Sequence, residues 1–323
     1  MVKMTNVNSS PKARLPRALR RFNVLHFGWS IVRAVILLGL CFLILYPFFI
    51  KIVNGFKSLN DFLDPTVKYL PKEPTWDNWI TAFKKMDYVH SLLRTLSVSL
   101  ICGVLQTLIS ALVGYGFARF RFRGSRILFA SVILVLLVPP QTILLSLYTK
   151  FRYFDVFGIL RLCGVKSLPN LTNGGFLPVA LLSVTGFGFR GGLFIFLMRQ
   201  FYNGIPKELM EAAYVDGANV YRTYFSVIFP QGRTLMVTVF LLSFSWMWTD
   251  TFYANVLYSG YDIVARIVSA ARYMSGLGVT QGTLTSGMYI NTATMMLLAP
   301  LLLVFIFGQK LMVEGIENSG IVG

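Results

Sequence analysis

Apolar residues in this chain gather in runs of about 20, the length a helix needs to cross roughly 30 Å of hydrocarbon at 1.5 Å per residue. Six such runs can be drawn: Ile31 to Val53, Leu92 to Ala118, Ile127 to Thr149, Phe176 to Met198, Leu235 to Leu257 and Asn291 to Leu311. They predict an all-α, polytopic membrane protein with about six transmembrane helices. The second and fifth runs are the least apolar. Gln106 lies in the second, and Trp246, Trp248, Thr249 and Asp250 lie in the fifth.

Lys and Arg between these runs set the orientation, because they stay preferentially cytoplasmic. Lys3, Lys12, Arg14, Arg17, Arg20 and Arg21 precede the first run, and no acidic residue appears before Asp61. Arg119, Arg121, Arg123 and Arg126 follow the second run, so the two signals agree on a cytoplasmic N-terminus and, with six spans, a cytoplasmic C-terminus. The chain divides accordingly. Residues 1–30 read as a basic cytoplasmic tail, 31–91 as the first span and an extracytoplasmic loop, 92–311 as the transmembrane core with a cytoplasmic loop at 202–233, and 312–323 as a cytoplasmic tail. The outer loop mixes Lys57, Lys68 and Lys72 with Asp61, Asp64 and Glu73, a mixed-charge surface.

Composition supports the same class. Of 323 residues, 55% are hydrophobic and 13% charged, against about 25% charged in soluble domains. The net charge of +17 comes from clusters at span ends, and with no basic soluble domain to track a phosphate backbone it does not imply nucleic acid. Cys41, Cys102 and Cys163 form no CxxC pair, so neither a disulfide framework nor a metal site is expected. The first apolar run starts late and lacks a small-residue cleavage site, which reads as a retained helix in a bacterial plasma membrane.

The cytoplasmic loop carries the most information. Pro206 suits the first turn of a helix, Glu208 favours the positive end of its dipole, and Gly217 can take the left-handed conformation that ends it. Asn219 can cap a second helix whose run stops at Pro230. Ala212 and Ala213 leave little bulk, so another protein could approach the backbone, with Glu211 supplying a charge. This segment resembles the EAA loop of ABC importer permeases: Glu211, Ala212, Ala213 and Gly217 match, and the later hydrophobic-Pro element reads Val227, Ile228, Phe229, Pro230. Phe196 to Phe201 and the ending Gly315, Ile316, Gly320, Ile321, Val322, Gly323 are similar to the carbohydrate, maltose permease-like branch.

The resemblance implies a coupling helix seated in a groove of an ATP-binding subunit, with Glu208, Glu211, Ala212, Ala213, Asp216 and Gly217 as the contact. It also implies a second homologous permease subunit, two ATP-binding subunits and an extracytoplasmic solute-binding protein delivering a sugar or oligosaccharide. No Gly-Lys dipeptide occurs, so this chain has no P-loop; ATP and Mg belong to the partner ATPases, and the chain itself is expected to bind no cofactor.

Polar groups within the spans mark a candidate substrate pathway: Gln141, Arg190, Trp246, Trp248 and Asp250. Arg190, about 13 Å from Arg199 on a helix, should face protein or a water-filled path, or mark a break among Gly186, Gly188, Gly191 and Gly192. Pro139 and Pro140 are expected to kink the third span and free carbonyls beside Gln141. The tryptophans offer flat faces to a sugar ring, and packing serves them equally well. A permease for an acidic or phosphorylated solute, which Arg190 would suit, is the alternative. An intramembrane enzyme lacks its ligands, since His26 and His90 are the two histidines and neither lies in a span; a channel would leave the loop without purpose.

Overall fold

The computed structural model describes residues 24–155, 158–164, 168–173, 175–188, 190–257, 264–269 and 281–320. Their regular structure is helical: α1 (Val24–Gly55), α2 (Leu59–Leu63), α3 (Asp77–Lys85), α4 (Tyr88–Arg119), α5 (Ser125–Leu137), α6 (Pro140–Arg152), α7 (Ile159–Leu162), α8 (Leu177–Val184), α9 (Gly191–Gly204), α10 (Glu208–Val215), α11 (Val220–Thr223), α12 (Phe229–Gln231), α13 (Arg233–Trp248), α14 (Phe252–Leu257), α15 (264–269) and α16 (Gln281–Gly320). By contacts the chain divides into two units, Met1–Ile50 and Lys51–Gly323. The first contributes most of α1, an apolar helix that carries Pro47.

Three described helices are long and apolar enough to cross a membrane, at Gly28–Gly55, Tyr88–Arg119 and Ser286–Val313, and the number is up to five if each of two bent pairs is one span. The expected third span turns through 106° between Ser125–Leu137 and Gln141–Arg152. Pro139 is the cause, and its carbonyl is not left free: it accepts from the backbone N–H of Thr142 at 3.1 Å and from its hydroxyl at 2.8 Å. The expected fourth span, Phe176 to Met198, is two helices, α8 and α9, separated by residues 185–190. The fifth stops at Trp248 and restarts at Phe252 rather than running to Leu257.

Within the second unit α4 is the hub. Its buried face reads Ser91, Thr95, Ser99, Cys102, Gly103, Gln106, Thr107, Ser110, Ala111 and Gly114, small or polar residues three or four apart. In a bilayer, where lipid is as apolar as leucine, such faces let backbones approach and pack. At Gly114 a β-carbon would lie 2.7 Å from Met198 Cβ, so α4 and α9 touch here only because the side chain is missing. Further along the same buried face α4 meets α13, where Phe240 and Phe244 pack against Gly103. Trp248, 1% exposed, extends that core to α16 by donating its indole N–H to the Leu297 carbonyl at 3.1 Å.

The segment between α1 and α4 is folded rather than merely charged. Phe56, Trp76 and Trp79 cluster, with centroids 4.9 and 5.4 Å from Phe56. Lys57 is buried and donates to the carbonyls of Val67 at 2.7 Å and Lys68 at 3.3 Å. Buried Asp61 accepts the Glu73 N–H at 3.0 Å. A buried charge survives only when hydrogen bonds replace its water, and here backbone groups supply them. Lys72 and Asp64, at 2.7 Å, remain exposed.

Candidate functional site

The loop after α9 is a helical hairpin whose geometry follows from few residues. Arg119 at the end of α4 donates to the Ile205 carbonyl, tying the loop's start to the hub. α10 begins at Glu208 with Lys207 as its N-cap, so Pro206 precedes the helix instead of entering its first turn. Glu208 and Glu211 occupy that first turn, where carboxylates complement the helix dipole.

The turn after α10 is a Schellman motif. Gly217 has φ +79°; its N–H donates to the Tyr214 carbonyl at 3.0 Å, and the Ala218 N–H donates to the Ala213 carbonyl at 2.9 Å. Asn219 then caps α11, its side chain accepting the Arg222 N–H at 2.8 Å. Pro230 does not end the run as expected. Tyr224–Ile228 widens into a π turn, in which the Phe229 N–H reaches the Tyr224 carbonyl. The chain continues helically through Pro230 into α12, because the widened turn accommodates the ring and its missing N–H.

Tyr224 anchors the hairpin. Its ring centroid lies 4.7 Å from that of Tyr115 on α4, which in turn lies 5.7 Å from Tyr202 on α9. Sequence reasoning missed this trio, since its members come from separate helices. The anchoring also decides which side of α10 faces out. Ala213 is buried, at 9% exposure, against the chain's own core, while Ala212, Glu208, Glu211, Asp216, Tyr214 and Val215 are exposed. The expectation that both alanines face a partner is therefore corrected at Ala213. The open face adds an apolar component, with Val215 at 88% and Tyr221 at 77% exposure.

The proposed pathway residues do not converge in one place. Arg190 ends the break between α8 and α9 as the N-cap of α9, with φ +57°, and its guanidinium carbon lies 4.6 Å from the centre of the Trp246 ring. Trp246 also stacks on Phe194 at 5.4 Å. Glycine makes the break possible: a side chain at Gly188 would collide with the Gln106 amide, and one at Gly191 with the Gly186 carbonyl. Gln106 is buried and accepts from the Ser243 hydroxyl, so α4 and α13 share a polar contact beside the break.

Trp248 belongs to the core, its indole already bonded. Asp250 is 4% exposed, and its carboxylate accepts the N–H groups of Phe252 at 3.1 Å, Tyr253 at 3.4 Å and Ala254 at 3.0 Å. That makes it the cap of α14, a role that explains an acid inside an apolar run. Gln141 is exposed in the first turn of α6.

Comparison with known proteins agrees with this architecture. The arabinooligosaccharides transport system permease protein AraQ of Halalkalibacterium halodurans is 23% identical over 287 residues, 88% of this chain and 93% of that protein. The melibiose/raffinose/stachyose import permease protein MelC of Bacillus subtilis is 21% identical over 278 residues, 86% and 91% respectively. A chain of a bacterial ABC transporter involved in import of the acidic polysaccharide alginate has a similar fold, with TM-score 0.64 and 19% identity over 87% of this chain and 95% of that one. Residues 106–317 match the family described as binding-protein-dependent transport system inner membrane component, and the chain, with its long apolar helices and its helical hairpin, belongs to that family of membrane transport subunits.

Proposed function

We propose that this chain is one of two permease subunits of an ATP-driven importer and passes a sugar or oligosaccharide received from an extracytoplasmic binding protein. The carbohydrate assignment is supported by the similarity to AraQ and MelC, which cover nearly their whole length. Residues 1–30 and 312–323 lie in the cytoplasm, the segment between α1 and α4 lies outside, and the core of residues 92–311 carries the coupling hairpin at 202–233. A similar second permease subunit completes the pathway, and two ATP-binding subunits, holding ATP and Mg, dock beneath.

The observation that carries this reading is the exposed, hydrogen-bonded hairpin. Glu208, Glu211, Ala212, Asp216 and the turn at Gly217 form the ATPase contact, with Ala213 and Tyr224 holding α10 to the permease core. Closure of the motor pushes α10; Tyr224, Tyr115 and Tyr202 pass the movement to α4 and α9, the helices that border the break at Arg190. Arg190, Trp246 and Gln141 face the pathway in this account, whereas Trp248 and Asp250 support its walls. The test is uptake by proteoliposomes containing the complete importer and its binding protein. Oligosaccharides should enter only with ATP inside and binding protein outside; uptake confined to acidic or phosphorylated solutes that are not sugars would refute the carbohydrate assignment.

A further inference from the structure

A half-open cleft of about 300 Å³ lies where the segment between α1 and α4 meets α16. Its wall is built from three stretches distant in sequence: Lys57, Ser58 and Leu59 after α1; Thr75, Asp77, Asn78 and Thr81 at and on α3; Met288 and Tyr289 on α16. In the orientation proposed above it opens to the outside. None of these residues belongs to the coupling hairpin or to the break at Arg190.

The chemistry of the wall is specific. Tyr289 is 2% exposed and closes the cleft with its ring; its hydroxyl is itself buried and has no hydrogen-bond partner among the described residues. Ser58 and Thr75 each accept one backbone N–H, from Asp61 at 3.2 Å and Asp77 at 3.1 Å, which leaves both hydroxyl protons to donate. Asn78 spends its amide protons on the carbonyls of Gly55 at 3.1 Å and Lys57 at 2.8 Å, leaving its oxygen as an acceptor. Thr81 adds a further hydroxyl. The ammonium of Lys57 is turned to two backbone carbonyls, and the Asp77 carboxylate stands on the same wall, so the cleft does not favour an anion. Met288 and the Tyr289 ring supply apolar surface.

From these observations we infer that the cleft is a binding site for a single neutral polyhydroxylated ring, such as one residue of a saccharide. Several hydroxyl donors and acceptors around an apolar patch match a sugar ring, which has polar edges and an apolar face. The volume is at the small end of ligand pockets, roughly 300–1,000 Å³, which suits one ring rather than a chain. The ligand class rests on the cleft itself; the role of the site, as a holding point for a sugar entering the permease, rests on the sugar-import reading.

The test is protection from modification in the assembled importer. Thr81→Cys is treated with a methanethiosulfonate reagent, and labelling at that residue is followed by mass spectrometry with methyl α-glucoside, methyl β-xyloside, methyl α-arabinoside or glucose 6-phosphate present. Ser58→Cys provides a second reporter should Thr81→Cys not assemble. At least one neutral glycoside should slow labelling, and adding Thr75→Val should raise the concentration needed by about tenfold, as loss of one hydrogen bond implies. No protection by any glycoside would mean that water alone occupies the cleft and would overturn the inference. So would protection unchanged by Thr75→Val, or stronger protection by glucose 6-phosphate. Labelling is read without transport, so glycoside protection in an importer that carries no sugar would defeat the functional reading and leave this site standing; normal sugar uptake with an unprotected cleft would do the reverse.

Discussion

Gly217 offers the sharpest perturbation, because its strain can be separated from its surroundings. At φ +79° it stands in open space, with nothing within 4 Å of a β-carbon built there, so a substitution meets backbone cost and no clash. For an ordinary L-residue the left-handed region costs about 1–2 kcal/mol, and less for Asn, which visits it readily. A β-branched side chain costs more. If the chain escapes the strain by leaving that conformation, it gives up the two Schellman hydrogen bonds, each worth about 1 kcal/mol net, and α10 loses its fixed angle to α11. The expected order of damage is therefore Gly217→Asn, then Gly217→Ala, then Gly217→Val. A difference of about 1–2 kcal/mol in holding the turn changes its population about 5–30-fold, enough to separate the three variants. ATPase copurification and ATP-dependent uptake should both fall in that order while membrane yield of the permease pair stays level. If Gly217→Asn is as harmful as Gly217→Val, left-handed strain is not the cause; if Gly217→Val matches wild type in both assays, the turn has no part in coupling.

Other outcomes follow from the same geometry. Asp250→Ala removes the cap of α14 and should lower thermal stability by about 1–2 kcal/mol, with Asp250→Ser retaining much of it; an unchanged melting temperature in Asp250→Ala would reject the capping role. The Lys72 ammonium, bonded to Asp64, holds its carboxyl well below the ordinary value of 3.8, so the contact is fully present above that value and is lost as pH falls through the lowered one. NMR titration of Asp64 should show the depressed midpoint, and Lys72→Met should bring it back towards ordinary; no change would contradict it. Single cysteines at Thr75 and Ser275, the latter outside the described residues, should label with an impermeant reagent from outside, and one at Asn219 only after permeabilisation. External labelling of Asn219 would reverse the orientation.

What was legible in the sequence was local. Gly217 and Asn219 announced the turn and the cap because both act within a few residues, and the Arg119 to Arg126 cluster with the apolar runs defined a polytopic helical protein. Pro230 misled, since a π turn can absorb a proline and nothing in the local pattern distinguishes that from termination. The burial of Ala213 is not legible locally, because the inward side of α10 is chosen by Tyr224, Tyr115 and Tyr202, which meet only in the folded chain. Asp250 reads from the sequence as a candidate pathway group, and Asp within a Thr-Asp-Thr stretch is also a capping signal, which the apolar context hides. Arg190 illustrates the opposite case: the surrounding glycines correctly suggested a break, while its position over Trp246 depends on how α9 meets α13.

The account turns on α10 as the element through which ATPase closure reaches the pathway, and Glu211 is its exposed charge. Truncating one partner of a hydrogen-bonded charge pair at an interface costs about 2–5 kcal/mol, largely by leaving the other unpaired. The most direct measurement is ATP-dependent uptake, with ATPase copurification, by the importer reconstituted with Glu211→Ala and its external binding protein. Uptake should be abolished and the ATPase should dissociate more readily, with the permease pair inserted and the binding protein still loaded; wild-type uptake together with undiminished ATPase retention would contradict the coupling assignment.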